Sequence, residues 1–175
     1  MLIKVLINLL IWLAIMISQL AFLPNLPLGW NYLNLLLVTL VFVLLLLPWP
    51  WAVAWWLASA WLLDIFSFQS FGLYLIVLAL TCLTVYWLLI NFFTNYSLYA
   101  CLVLTATATL LYDFGYLVWP ILWSNWLGQS GQSLNNGFWF LEAQRLFANL
   151  LLTIIFFYIL NFLSHRFRPV FLQKK

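Results

Sequence analysis

Two aspartates stand alone inside long apolar runs, Asp64 in Trp-Leu-Leu-Asp-Ile-Phe and Asp113 in Leu-Leu-Tyr-Asp-Phe-Gly. Charged residues make up only 5% of the chain, so a carboxylate in such a setting calls for a physical reason. At the centre of a bilayer it costs about 2.5–3.5 kcal/mol on insertion scales, and less nearer the interface. It is tolerated when it faces protein or water, which makes both aspartates candidate functional groups; the plainer role is to cap helices or pin them together. A third acid, Glu142, stands three residues before Arg145, a spacing that lets the two pair on one helix face.

Nucleophilic or acid–base catalysis needs partners within hydrogen-bonding reach of one another. The single histidine, His165, follows the last apolar run beside Arg166 and Arg168, so a relay from it to either aspartate would have to bridge opposite faces of a membrane. No Gly-x-Ser-x-Gly, His-Glu-x-x-His or phosphate-cradling Gly-rich loop occurs. Cys82 and Cys101 both lie in apolar runs, where a thiol behaves as a small hydrophobe rather than as a disulfide partner or metal ligand. These residues point away from an enzyme and imply neither cofactor nor metal.

The elements that must position the acids follow from composition. With 68% hydrophobic residues and a mean hydropathy of +1.13, this chain of 175 residues carries more apolar surface than a soluble domain of its size can hide. It reads as a single integral membrane domain over 1–175. Aromatics reach 21%, and many of the 12 tryptophans flank the apolar runs, where such rings favour the headgroup level. Lys4 precedes the first run, while Arg166, Arg168, Lys174 and Lys175 follow the last. Positive residues at span ends stay cytoplasmic, which puts both termini inside and requires an even number of spans. The basic tail is a topology signal and an anionic-lipid contact rather than a nucleic-acid site.

A spanning helix needs about 20 apolar residues. The expected spans cover about 5–23, 30–47, 51–66, 72–90, 96–119 and 141–164, six in all, in agreement with the charge-derived parity. Pro48-Trp49-Pro50 forces a turn between two spans near the lower length limit, for which a re-entrant pair is the alternative. Trp119, Trp123 and Trp126 recur at helical spacing at the start of the polar connection Pro120–Phe140, which predicts a short helix on the outer interface. The expected fold is thus an all-α bundle of six transmembrane helices. Alternating directions place Asp64, Asp113 and Arg145 at the outer ends of their spans, and predict a polar cluster joining Asp64 or Asp113 to Arg145. Small residues at i, i+4 mark candidate packing seams: Ala54 with Ala58, Thr105 with Thr109, and Ala14 with Ser18.

The stretch Trp61-Leu-Leu-Asp64-Ile-Phe-Ser67-Phe-Gln-Ser-Phe71-Gly72-Leu73 resembles the signature of the rod-shape-determining MreD family, in which a helix ends in Leu-Asp-Leu-x-Ser and a Leu-Gly-Leu opens the next. The proline-containing first loop, short second and third spans, the Asp late in span five and the basic tail extend the likeness along most of the chain. Asp64, Gly72 and Asp113 are the matching positions; Trp56 and Ala60 stand where the family usually has glycines. The resemblance implies a non-enzymatic scaffold of the bacterial elongation complex in the inner membrane. Its direct partner would be an MreC-type bitopic protein, and through that MreB filaments, a RodA-type glycosyltransferase and a penicillin-binding transpeptidase. The competing expectation is a substrate-binding subunit of an energy-coupling-factor vitamin importer, with Pro120–Phe140 closing over a pocket lined by Asp64, Asp113, Trp61 and Trp119.

Overall fold

In the computed structural model, which describes residues 2–26, 32–67, 71–93, 97–126 and 137–163, the apolar runs fold into six α-helices. They are α1 (Leu2–Ile17), α2 (Leu35–Leu46), α3 (Trp49–Phe66), α4 (Leu73–Phe92), α5 (Leu98–Trp126) and α6 (Gly137–Leu163). Strands are absent among the described residues. Four helical stretches are long and apolar enough to cross a membrane: Leu6–Asn25, Leu73–Phe92, Leu98–Val118 and Trp139–Phe162.

Helix α2 is the hub. Nine of its 12 residues are buried, and it packs on α1, α3, α5 and α6. A helix apolar on every side belongs in the middle of a bundle. At 1.5 Å per residue it is only about 18 Å long, against about 30 Å of hydrocarbon. It also starts later than the apolar run beginning at Trp30 suggests, because Asn34 turns its side chain onto the Leu37 amide (3.0 Å) and caps the helix there. At its other end Leu47 and Pro48 turn the chain directly into α3. Pro50 sits within the first turn of α3, where its missing N–H costs nothing, so that helix starts before residue 51.

The hairpin is tied by the Trp56 indole, which donates to the Leu40 carbonyl (3.0 Å), and α1 is tied to α3 by Trp12 donating to Ser59 (2.8 Å). Helix α1 does not stop at Ile17. A π-helical turn over Ser18–Phe22 and a 3₁₀ turn over Leu23–Asn25 carry it on to Pro24.

Helix α5 is longer than expected. It runs unbroken through Pro120 to Trp126, so the separate interfacial helix predicted after Trp119 is a continuation of α5 instead. Proline in a membrane helix forfeits one backbone bond and need not end it, since neighbouring helices and side chains re-satisfy the freed carbonyl. The ten residues beyond Tyr116 add about 15 Å of helix. The seam around Thr105 and Thr109 is fully buried. Ala54 and Ala14, by contrast, lie on exposed faces, and Ala58 is only half-buried. The buried face of α3 is instead Ala52, Trp56, Ser59, Ala60, Leu63 and Asp64. The two indole bonds fix that rotation, so the Ala54–Ala58 pair packs no internal seam.

Candidate functional site

All three acids of the chain are buried, Asp64 at 3% exposure and Asp113 and Glu142 at 8% each. Asp64 lies in the last turn of α3 and Glu142 in the second turn of α6, while Asp113 stands midway along α5, level with the start of α6 through its pairing with Arg145. Asp64 and Asp113 do different work there.

Asp64 closes the α3–α4 junction. Gly72, the residue before α4, takes a left-handed conformation (φ +94°), which reverses the chain but leaves the helix without a capping side chain. Asp64 supplies it from the preceding helix: Oδ1 accepts from the Tyr74 amide (2.9 Å) and Oδ2 from the Leu75 amide (3.0 Å). Both are first-turn N–H groups with no intrahelical partner, and the positive end of the helix favours a carboxylate. Ser67 completes the junction by donating from its hydroxyl to the Asp64 carbonyl (3.3 Å). Of the two acids expected as alternatives to join Arg145, Asp64 is thus the one that does not, its carboxylate being bonded to α4.

Asp113 is the acid that meets Arg145, with Nη1 donating to Oδ1 at 3.2 Å. This joins α5 to α6. One turn along α6, Asn149 is fully buried and binds in two directions: Nδ2 donates to Thr109 Oγ1 (3.2 Å) and Oδ1 accepts from the Asn34 amide (2.8 Å). The π-helical turn of the first helix brings Gln19 within 3.2 Å of the Leu36 amide. The irregular entry to α2 is thus held by polar side chains from two other helices. Backbone that leaves a helix at membrane depth survives only where protein or an aqueous cavity satisfies it.

A polar cavity of about 210 Å³ lies over the start of α2, bounded by Gln19, Asn34, Asn149, Asp113, Arg145 and four tyrosines, Tyr32, Tyr74, Tyr112 and Tyr116. The Tyr74 ring packs against Tyr112 and Tyr116, with centroids 6.4 and 5.8 Å away. Neither Asp64 nor Trp61 lines this space. Asp64 is turned into α4, and Trp61 is 55% exposed on the outer face of α3. Glu142 does not pair with Arg145 as its spacing suggested; its carboxyl lies beside that of Asp113. Cys82 and Cys101 are buried and unpaired, and the described residues contain no cluster of three metal-ligating side chains.

Several groups escaped the sequence reading. Gln19, Asn34 and Asn149 look like stray polar residues until the short helix between them is known. Gly115 carries a signal that was available, a glycine inside a helical run. A β-carbon there would stand 2.9 Å from Val77 Cγ1, so the glycine sets the closeness of α4 and α5. Of the cations expected to fix topology, the side chain of Lys4 and all of Arg166, Arg168, Lys174 and Lys175 lie outside what the structure describes, as does the connection after Trp126. No family model, curated protein or solved structure matches the chain.

Proposed function

We propose that this protein is a non-enzymatic membrane scaffold of the MreD type, acting in bacterial cell-shape maintenance and lateral wall synthesis from the inner membrane. The observation that carries the reading is the employment of its buried polar groups. Asp64 holds a helix end, Asp113 and Arg145 join two helices, and Gln19 and Asn149 hold the start of a third. Groups spent on architecture are not poised to attack a substrate. The outer faces of α1, α3, α4 and α6 carry large apolar side chains such as Leu10, Trp61, Trp87 and Phe147, which suit lipid and the helices of an MreC-type partner. Through that partner the chain would reach MreB filaments, a RodA-type glycosyltransferase and a penicillin-binding transpeptidase.

The test is copurification with an MreC-type protein, together with cell shape, for Asp64→Leu and Asp113→Leu. Both variants should still insert in the membrane while losing partner capture and rod shape. Unchanged capture and unchanged rods in both variants would sink the proposed role of these acids. The polar cavity favours one other reading, the substrate-binding subunit of a vitamin importer, for which a stoichiometrically bound vitamin in the purified protein is the discriminating result.

A further inference from the structure

The contact between α5 and α6 brings two acids together. Asp113 accepts from Arg145 Nη1 through Oδ1 (3.2 Å), and its carboxyl is in hydrogen-bonding contact with that of Glu142. Both Glu142 oxygens are shielded from solvent, and no donor group of the described residues reaches either of them. Ionised carboxylates only accept hydrogen bonds, so two of them in contact repel. Such a contact bonds when one carboxyl carries a proton and donates it to the other. The charges around the pair lead to the same result. The other titratable groups nearby are Tyr112 and Tyr116 on α5 and Tyr74 on α4, which packs on both of those rings. Helix α2 has no titratable side chain, α1 presents Gln19, and Asp64 at the end of α3 is bonded to the α4 amides. Among the described residues Arg145 is thus the one cation facing the pair, and it balances a single negative charge. Two carboxylates against one guanidinium would bury an uncompensated charge; one proton shared between them brings the sum to zero.

We propose that Asp113 and Glu142 hold a single proton between them, that this proton clamps α5 to α6, and that its release loosens the acidic end of the bundle. Asp113 lines the polar cavity and Glu142 does not, so the proton exchanges with water through Asp113. On the proposed topology that water belongs to the outer compartment, which makes the contact a sensor of external pH. The inference goes beyond the scaffold reading and does not rest on it.

Infrared spectroscopy of the full chain in an ester-free detergent tests it, because the C=O stretch of a protonated carboxyl is well separated from that of a carboxylate. The wild-type protein at neutral pH should show a protonated-carboxyl band that disappears on alkaline titration. Glu142→Gln, whose amide still donates to Asp113, should lack the band. Thermal unfolding followed by tryptophan fluorescence gives the second readout. A folded state that keeps a proton the unfolded chain has lost becomes less stable as pH rises. The wild-type Tm should therefore fall by about 5–10 °C over about two pH units up to the point where the band is lost, and the Tm of Glu142→Gln should stay level over the same range. The proposal is overturned by the absence of the band from the wild-type protein at neutral pH, by its survival in Glu142→Gln, or by a pH slope of Tm that Glu142→Gln leaves unchanged. If that variant does not fold, the wild-type band and its titration decide. Copurification with an MreC-type partner at neutral pH requires no proton release, so its failure would sink the scaffold reading and leave the shared proton standing.

Discussion

Removing the Asp64 carboxylate strands two first-turn amides of α4 at once. Each buried unsatisfied donor costs about 1–3 kcal/mol, so Asp64→Leu should destabilise the fold by about 2–6 kcal/mol. Asp64→Asn keeps one good acceptor and should lose about half as much; equal losses from the two variants, read by thermal or denaturant unfolding, would rule out the capping role. Gly72→Ala isolates the backbone term of the same junction, because a β-carbon there meets nothing within 4 Å while φ +94° is costly for any L side chain, about 1–2 kcal/mol. Gly115→Ala asks the opposite question. Its backbone is helical, and alanine should gain up to about 1 kcal/mol in propensity, yet the new methyl runs into Val77, a β-branched residue with little rotamer freedom. Overpacking costs about 1–3 kcal/mol, so the net effect should be a modest loss of stability with α4 and α5 forced apart. A gain in Tm would show that α4 gives way freely.

At the scale of elements, the decisive fact is that the most buried helix is the shortest. Helix α2 is too short to cross a bilayer, and the polar cavity occupies the length it leaves uncovered. Its entry depends on Asn149, whose carbonyl oxygen takes the Asn34 amide while its amino group holds Thr109. Asn149→Leu should therefore loosen the start of α2 selectively. Hydrogen exchange at Asn34–Leu37 should speed up by roughly 5- to 150-fold, for a loss of about 1–3 kcal/mol, while the α4 amides facing Asp64 stay protected. Uniform acceleration across the bundle would mean that Asn149 contributes only general packing.

The elements themselves were largely legible in the residues: uninterrupted apolar runs are helices in lipid, and Pro48 marks the turn between α2 and α3. The start of α2 was legible in principle too, since Asn34 ahead of Leu35 is a capping signal. What the chain could not disclose is which backbone amides a buried acid finds. Tyr74 and Leu75 are bonded through their main-chain N–H groups, and any residue but proline carries the same donor. The same limit hid the choice between Asp64 and Asp113 as the partner of Arg145. Asp64 is late in α3 and Asp113 stands midway along α5, and only the left-handed turn at Gly72 commits Asp64 to α4.

For the whole molecule, the concentration of every acid at one end of the bundle makes orientation the quantity on which function turns. On the proposed topology Lys4 and the basic C-terminal tail stay in the cytoplasm, which predicts that this end lies outside. Single cysteines test this cleanly, because Cys82 and Cys101 are 4% and 0% exposed and should remain silent toward an impermeant thiol reagent. Phe71→Cys and Phe140→Cys place thiols at strongly exposed positions near the acidic end, where α4 and α6 begin. Both should be labelled in intact spheroplasts. Tyr99→Cys, at the start of α5 and 73% exposed, belongs to the opposite end and should react only after the membrane is opened. Labelling of Phe71→Cys and Phe140→Cys from different compartments would break the alternation of helix directions. Labelling of Tyr99→Cys alone from outside would invert the molecule, and the polar cavity with its tyrosines would then face the cytoplasm.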